Sequence, residues 1–137
     1  MKIEGAKLWL TKKVLRKNEL LQDLDDEKLE TLIQHAHARL LATGDYLYTR
    51  GEPSNDTFCA IVFGSLKVVI ETGRVVKVTK SGELMGEMGI TSIQRKRTAD
   101  VIATEPTSIL EWTFSDIRDK APYLKRKLEK LASERRS

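Results

Sequence analysis

From residue 42 onward, turn residues interrupt the chain roughly every eight to twelve positions, and this rhythm restricts the fold more than any other feature. The breaks are TGD, RGEPSND, FGS, ETGR and KSGE, and the segments between them are too short for core helices. YLYTR, TFCAIVF, SLKVVI, RVVKVTK, TADVIA and SILEWT are the predicted strands, each with the β-branched and aromatic residues that suit a pleated surface. Short strands at this spacing close into an antiparallel barrel or jelly roll. Thr72-Gly73 is the predicted tight hairpin, because glycine supplies the positive φ that such a turn needs.

Helical periodicity flanks this region on both sides. Ile3, Leu10, Val14 and Leu21 fall on one stripe of a first helix, with lysines and arginines opposite. DLDDEKLETLIQHAHARLL reads as a second helix, its Asp25, Asp26 and Glu27 suiting the positive N-terminal end and its Leu29, Leu32 and Ile33 facing inward. After WTFSD a third begins, striped by Leu124, Leu128 and Leu131. A chain of 137 residues suits one domain. The predicted class is α+β: an antiparallel β-roll (double-stranded β-helix, or jelly roll) of about eight strands, flanked by N- and C-terminal helices. Residues 1–40 form the N-terminal helices, 41–114 the roll and 115–137 the C-terminal helical segment. Trp9, Trp112 and Phe114 are assigned to the core or to helix packing, and the lone Cys59, inside the apolar run TFCAIVF, to a buried site.

The net charge of +4 is unevenly spread. Residues 1–17 and 120–137 each carry +5, which leaves −6 for the body between them. An acidic body does not attract anions through its overall field, so a bound anion must be held by local groups. The basic end helices suit an acidic partner, a membrane surface or each other, so a protein partner or homodimer is expected there. No apolar run approaches the length of a membrane span, and the basic start lacks a secretory h-region, which points to the cytoplasm. His35 and His37 lie two apart on the predicted helix and diverge, so no metal site is expected. Neither lies near a nucleophile, and Glu83 and Glu87 have no fixed separation across their turn, so the chain is not expected to be an enzyme.

GELMGEMGITSIQRKRTADV, residues 82–101, holds the densest chemistry. Gly86 and Gly89 let a ligand approach the backbone, and a helical turn beginning near Glu87 would turn free N–H groups toward an anion. Arg97 adds a planar fork suited to phosphate. Glu87 would repel a phosphate but accepts well from a hydroxyl, so the pair suggests a phosphorylated ribose.

The same residues resemble the phosphate-binding cassette of cyclic nucleotide-binding domains, the module of the bacterial catabolite activator protein and of the cAMP-dependent kinase regulatory subunit. The cassette pattern is met by Gly86, Glu87, Met88, Gly89 and Ile90, the loop TSIQRK, and Arg97, Thr98 and Ala99. Upstream, ATGDYLYTRGEPSNDTFCAIVFGSLKV is similar to the family's glycine signature, with Gly44, Gly51 and Gly64 in place. The resemblance spans residue 18 to the end and implies a sensor whose ligand, cAMP or cGMP, alters helix packing to control a partner. It implies that Glu87 binds the ribose 2′-OH, Arg97 the cyclic phosphate, and the amides of Gly86 to Ile90 the phosphate oxygens. Thr98 is compatible with either nucleotide. Family members cover the purine from a long C-terminal helix or a partner subunit, whereas this sequence stops at Ser137, before any DNA-binding helix-turn-helix. The alternative is a ligand-free member of the family that serves as a protein-interaction scaffold.

Overall fold

The computed structural model describes residues 5–19, 21–53, 57–85, 96–120, 122–124, 126 and 130. Helix α1 (Gly5–Leu15) and helix α2 (Asp26–Gln34) precede eight strands. These are β1 (His37–Leu41), β2 (Tyr46–Tyr48), β3 (Thr57–Phe63), β4 (Ser65–Val69), β5 (Val75–Lys80), β6 (Leu84–Met85), β7 (Asp100–Ala103) and β8 (Thr107–Thr113), and helix α3 (Phe114–Lys120) follows. The strands form two antiparallel sheets, ordered β1-β8-β3-β6 and β2-β7-β4-β5, which is the interleaved order of the predicted β-roll.

Strand β3 explains how the layers hold together. Its continuous apolar run is buried on both faces. Cys59 and Ile61 point into the roll, where they join Leu47, Tyr48, Leu66, Val101 and Ile109. Phe58, Ala60 and Val62 point the other way, into a second core shared with Leu110 and Trp112 of β8 and with Leu15, Leu29, Leu32 and Ile33 of the helices. Phe58 and Trp112 stack with ring centroids 5.5 Å apart, and Trp112 Nε1 donates to the Leu32 carbonyl at 2.7 Å. That bond also satisfies a carbonyl in the last turn of α2. At the other end of α2, Asp25 is the N-cap, its carboxylate accepting from Lys28 N at 2.8 Å.

Three local expectations need correction. The second helix stops at Gln34, and His37–Leu41, predicted as its continuation, is a strand in continuous register with β8 from His37↔Glu111 to Leu41↔Thr107. HARLL accepts either conformation, and a partner seventy residues away decides it. In α1 the inward positions are Thr11 and Leu15, with Leu8 packed beside them, while Leu10 is exposed. The stripe is rotated because α1 ends at Leu15 and a separate turn, not the same helix, delivers Leu21 to the core. Trp9, assigned to the core or helix packing, is exposed as well. Leu124 is buried as predicted; Leu128, Leu131 and the Phe114 side chain lie outside the described residues.

Two turns show different uses of glycine. At Gly73 (φ +84°) the chain reverses between β4 and β5, with Gly73 N donating to Ile70 O at 2.9 Å and open space around its Cα. Gly64 (φ +93°) joins β3 to β4 under the β7–β8 turn, and a Cβ there would collide with Thr107 Oγ1 and stand 2.6 Å from the Pro106 carbonyl oxygen. Positive φ alone costs a non-glycine residue about 1–3 kcal/mol. Gly73→Ala should therefore destabilise by that strain only, while Gly64→Ala should cost measurably more because backbone must also move. Urea unfolding of the two variants checks this, and equal losses would contradict the packing described.

Candidate functional site

The segment before β7 is strapped to the β2–β3 connection. Arg97 N donates to Glu52 O and Gly51 N to Arg97 O, both at 2.9 Å, and Pro53 forms a bridge with Lys96. Glu52 closes its own turn by accepting from Thr49 N at 2.7 Å, and Asp100 accepts from Arg50 N at 2.8 Å. Apart from the Glu52 turn, these contacts join residues more than forty positions apart in sequence. They fix the backbone of Arg97 before its side chain does anything.

The Arg97 side chain is turned inward. The residue is only 6% exposed. Its Nη2 donates to the Thr57 carbonyl at 2.8 Å and to Thr57 Oγ1 at 2.9 Å, and its guanidinium carbon lies 3.6 Å from the centroid of the Tyr48 ring. A flat cation over an aromatic face, held in place by an oxygen pair, is a preorganised arrangement. Thr57 opens β3 and Tyr48 closes β2, so each sheet contributes one support.

Arg97 separates two spaces. Inside is a cavity of about 180 Å³ lined by Arg39, Tyr48, Glu52, Thr57, Arg97 and Glu111, with Arg39 Nη1 and Glu111 Oε1 3.6 Å apart across β1 and β8. Outside is an open depression of about 510 Å³ lined by Arg50, Gly51, Ile70, Glu71, Lys96, Arg97 and Thr98. Three cations face one carboxylate there, and Glu71 lies 3.8 Å from Arg50. So the depression is locally positive although the body of the chain is acidic, and an anion fits it.

Of the predicted site residues, Arg97 and Thr98 line this depression and Ala99 is half-buried beside them. Gly86, Glu87, Met88, Gly89 and Ile90 lie outside the described residues. Lys96 also lines the depression. Sequence reasoning missed Arg50, Tyr48 and Thr57. Arg50 had a weak signal, a cation next to a turn glycine. Tyr48 and Thr57 had none, because their roles depend on contacts with a residue forty or more positions away. Among the described residues no group of His, Cys, Asp and Glu side chains could hold a metal ion.

The roll interior beneath Arg97 is strongly desolvated. Burial pushes Tyr48 well above its ordinary pKa and raises Cys59 from 9.0 to about 12. The Tyr48 hydroxyl interacts with that thiol but makes no well-formed hydrogen bond with any described residue.

The family model of the cyclic nucleotide-binding domain matches residues 38–121. The sequence is 30% identical over 113 residues to an NTE family protein of Mycobacterium tuberculosis, covering 80% of this chain and 19% of that protein. The chain thus spans about a fifth of the length of the curated relatives it matches. Among solved structures, the N-terminal domain of a transcriptional regulator from Streptomyces coelicolor superposes with a TM-score of 0.72 at 28% identity, covering 90% of this chain and 91% of that one. The regulatory domain of Toxoplasma gondii PKA in complex with cAMP gives 0.76 at 20% identity, covering 99% and 50%.

The buried thiol yields a pH dependence of defined sign. Above about pH 9 the unfolded chain loses the Cys59 proton, while the folded chain keeps it until about pH 12. Folding is therefore fully supported by this group below pH 9 and loses that support as pH rises toward 12. Urea midpoints measured from pH 7 to 10.5 should fall more steeply for the wild type than for Cys59→Ala, and parallel curves would contradict the assignment. In the native state at pH 8 the thiol should resist a disulfide reagent that reacts at once after unfolding.

Proposed function

This chain belongs to the cyclic nucleotide-binding domain family, and on that premise we propose that it is a regulatory receptor for a cyclic mononucleotide, cAMP or cGMP, in the cytoplasm. The observation that carries this reading is the placing of Arg97 in the wall of a cationic depression, with Arg50 and Lys96 beside it. The cyclic phosphate pairs with Arg97 and takes the amides of Gly86, Met88, Gly89 and Ile90, while Glu87 accepts from the ribose 2′-OH. Thr98 and Ala99 complete the rim, and the Thr98 hydroxyl supplies a contact to the phosphate or the base. The role is binding, without catalysis. Support comes from the similar Toxoplasma regulatory domain, which was crystallised together with cAMP.

Occupancy can reach the helices by a short route. Thr57 supports Arg97 from inside the roll, and the next residue, Phe58, faces the opposite side and stacks on Trp112. Trp112 in turn donates to the Leu32 carbonyl at the end of α2. A phosphate that draws on the Arg97 guanidinium loosens its hold on Thr57, and the start of β3 transmits the change to the helix-side core. Binding energy differing between two such arrangements is what shifts their populations. A helical face offered to a partner or second copy changes as a result.

One observation favours a second reading. Arg97 is already supported by Thr57 and Tyr48, as in a scaffold that keeps the roll and binds no nucleotide. Calorimetric titration with cAMP and cGMP separates the two. Under the receptor reading Arg97→Lys, which keeps the charge but loses the fork, should weaken binding about tenfold, as expected for a charge-assisted hydrogen bond of about 1.5–3 kcal/mol. Arg97→Ala should weaken it further and also lower the unfolding midpoint, since Thr57 and Tyr48 lose their partner. Thr98→Ala, titrated with both ligands, shows whether the hydroxyl discriminates between the bases. No binding of either nucleotide to the wild type would favour the scaffold.

A further inference from the structure

Among the described residues, the helices leave one corner of the β1-β8-β3-β6 sheet uncovered. There, α1 and β1 enclose an apolar groove of about 390 Å³ whose lining includes Lys7, Leu10, Leu40, Val62, Phe63 and Leu110. Val62 and Leu110 are buried members of the helix-side core, so the floor of the groove is the core itself. Its walls are open: Leu40 is 86% and Phe63 57% exposed. Large side chains so exposed around one concavity are rare on a surface that only meets water.

Two further features define what fits. First, β1 is an edge strand, paired among the described residues with β8 alone. Its Ala38 and Leu40 face the groove, so a strand added along its free edge would place alternate side chains beside Leu40, from where long apolar ones reach into the groove. Second, α1 places one lysine, Lys7, in the groove wall. Lys12 and Arg16 are engaged by Glu30 and Asp26 of α2, whereas Lys7, inside the groove, and Lys13, 5.2 Å over the Trp9 ring, form no ion pair among the described residues.

We propose that this corner is a docking site for an extended, net-acidic peptide segment of a partner protein, which pairs with β1 and seats alternate apolar side chains in the groove. Main-chain pairing supplies affinity, the groove selects the apolar positions, and Lys7 selects against cationic segments. A second copy of the chain is disfavoured by charge, since it would bring the same lysines together. A bilayer is disfavoured by shape, since it meets a convex apolar face and not a groove beside an open strand edge. The site is on the outer face of the sheet, so it stands whether or not the chain binds a nucleotide.

The test is selection of a random octapeptide display library on the full chain, counter-selected on Leu40→Glu. Enriched peptides should be net acidic with apolar residues at alternate positions. One of them, synthesised, should shift NMR resonances of residues 7–13, 38–40, 62–63 and 110 and raise hydrogen-exchange protection of the β1 amides. Its affinity should fall at least about tenfold in Leu40→Glu and in Phe63→Ser, and severalfold in Lys7→Glu, with unfolding midpoints unchanged. Enrichment that does not depend on Leu40, shifts located elsewhere, or no enrichment at all would overturn the proposal. So would Leu40-dependent binding to phosphatidylserine vesicles without any peptide binding, which would assign the face to a membrane.

Discussion

The stack of Phe58 on Trp112, with the indole N–H closing on the Leu32 carbonyl, is the contact on which the rest of the molecule depends. It lies where the sheet meets the helices, and each ring belongs to a strand that also sends a residue, Cys59 or Ile109, into the roll interior. A buried aromatic pair contributes about 0.5–1.5 kcal/mol beyond its area, and an indole N–H buried without a partner would be costly. More important is what the pair fixes. With β3 and β8 held against α2, the inward faces of the same strands are set in register, and Thr57 at the start of β3 is placed to hold Arg97.

Arg97 shows the dependence at the site itself. Its donors reach Thr57 on one sheet and its flat face lies on Tyr48 from the other, so its position reports how the two sheets meet at their mouth. The cationic depression exists because the β2–β3 connection and the segment before β7 are tied backbone to backbone. A chain whose body is acidic thus carries a locally cationic depression without any change in its overall charge.

The strand pattern was legible because short runs rich in β-branched and aromatic residues, bounded by turn glycines, have few other solutions. All six strands drawn from the sequence are present, and Asp25, Asp26 and Glu27 stand at the N-terminal end of α2 as expected. What was not legible shares one physical cause. HARLL becomes β1 only because β8 offers a partner, and the two residues of β6 are strand only because they pair with Cys59 and Ala60. The inward face of α1 follows from where the helix ends, which the stripe of leucines did not reveal.

The sequence by itself determined the β-roll, its turns and the family, and singled out the candidate arginine, because each rests on local spacing and residue chemistry. The tertiary structure decided how that arginine is held, by Tyr48 and Thr57, and which cations join it, since those contacts cross from one sheet to the other. It also decided which apolar residues are left uncovered. Leu40 and Leu41 are adjacent and chemically identical, yet alternation along an edge strand buries one in the roll and leaves the other in the open groove.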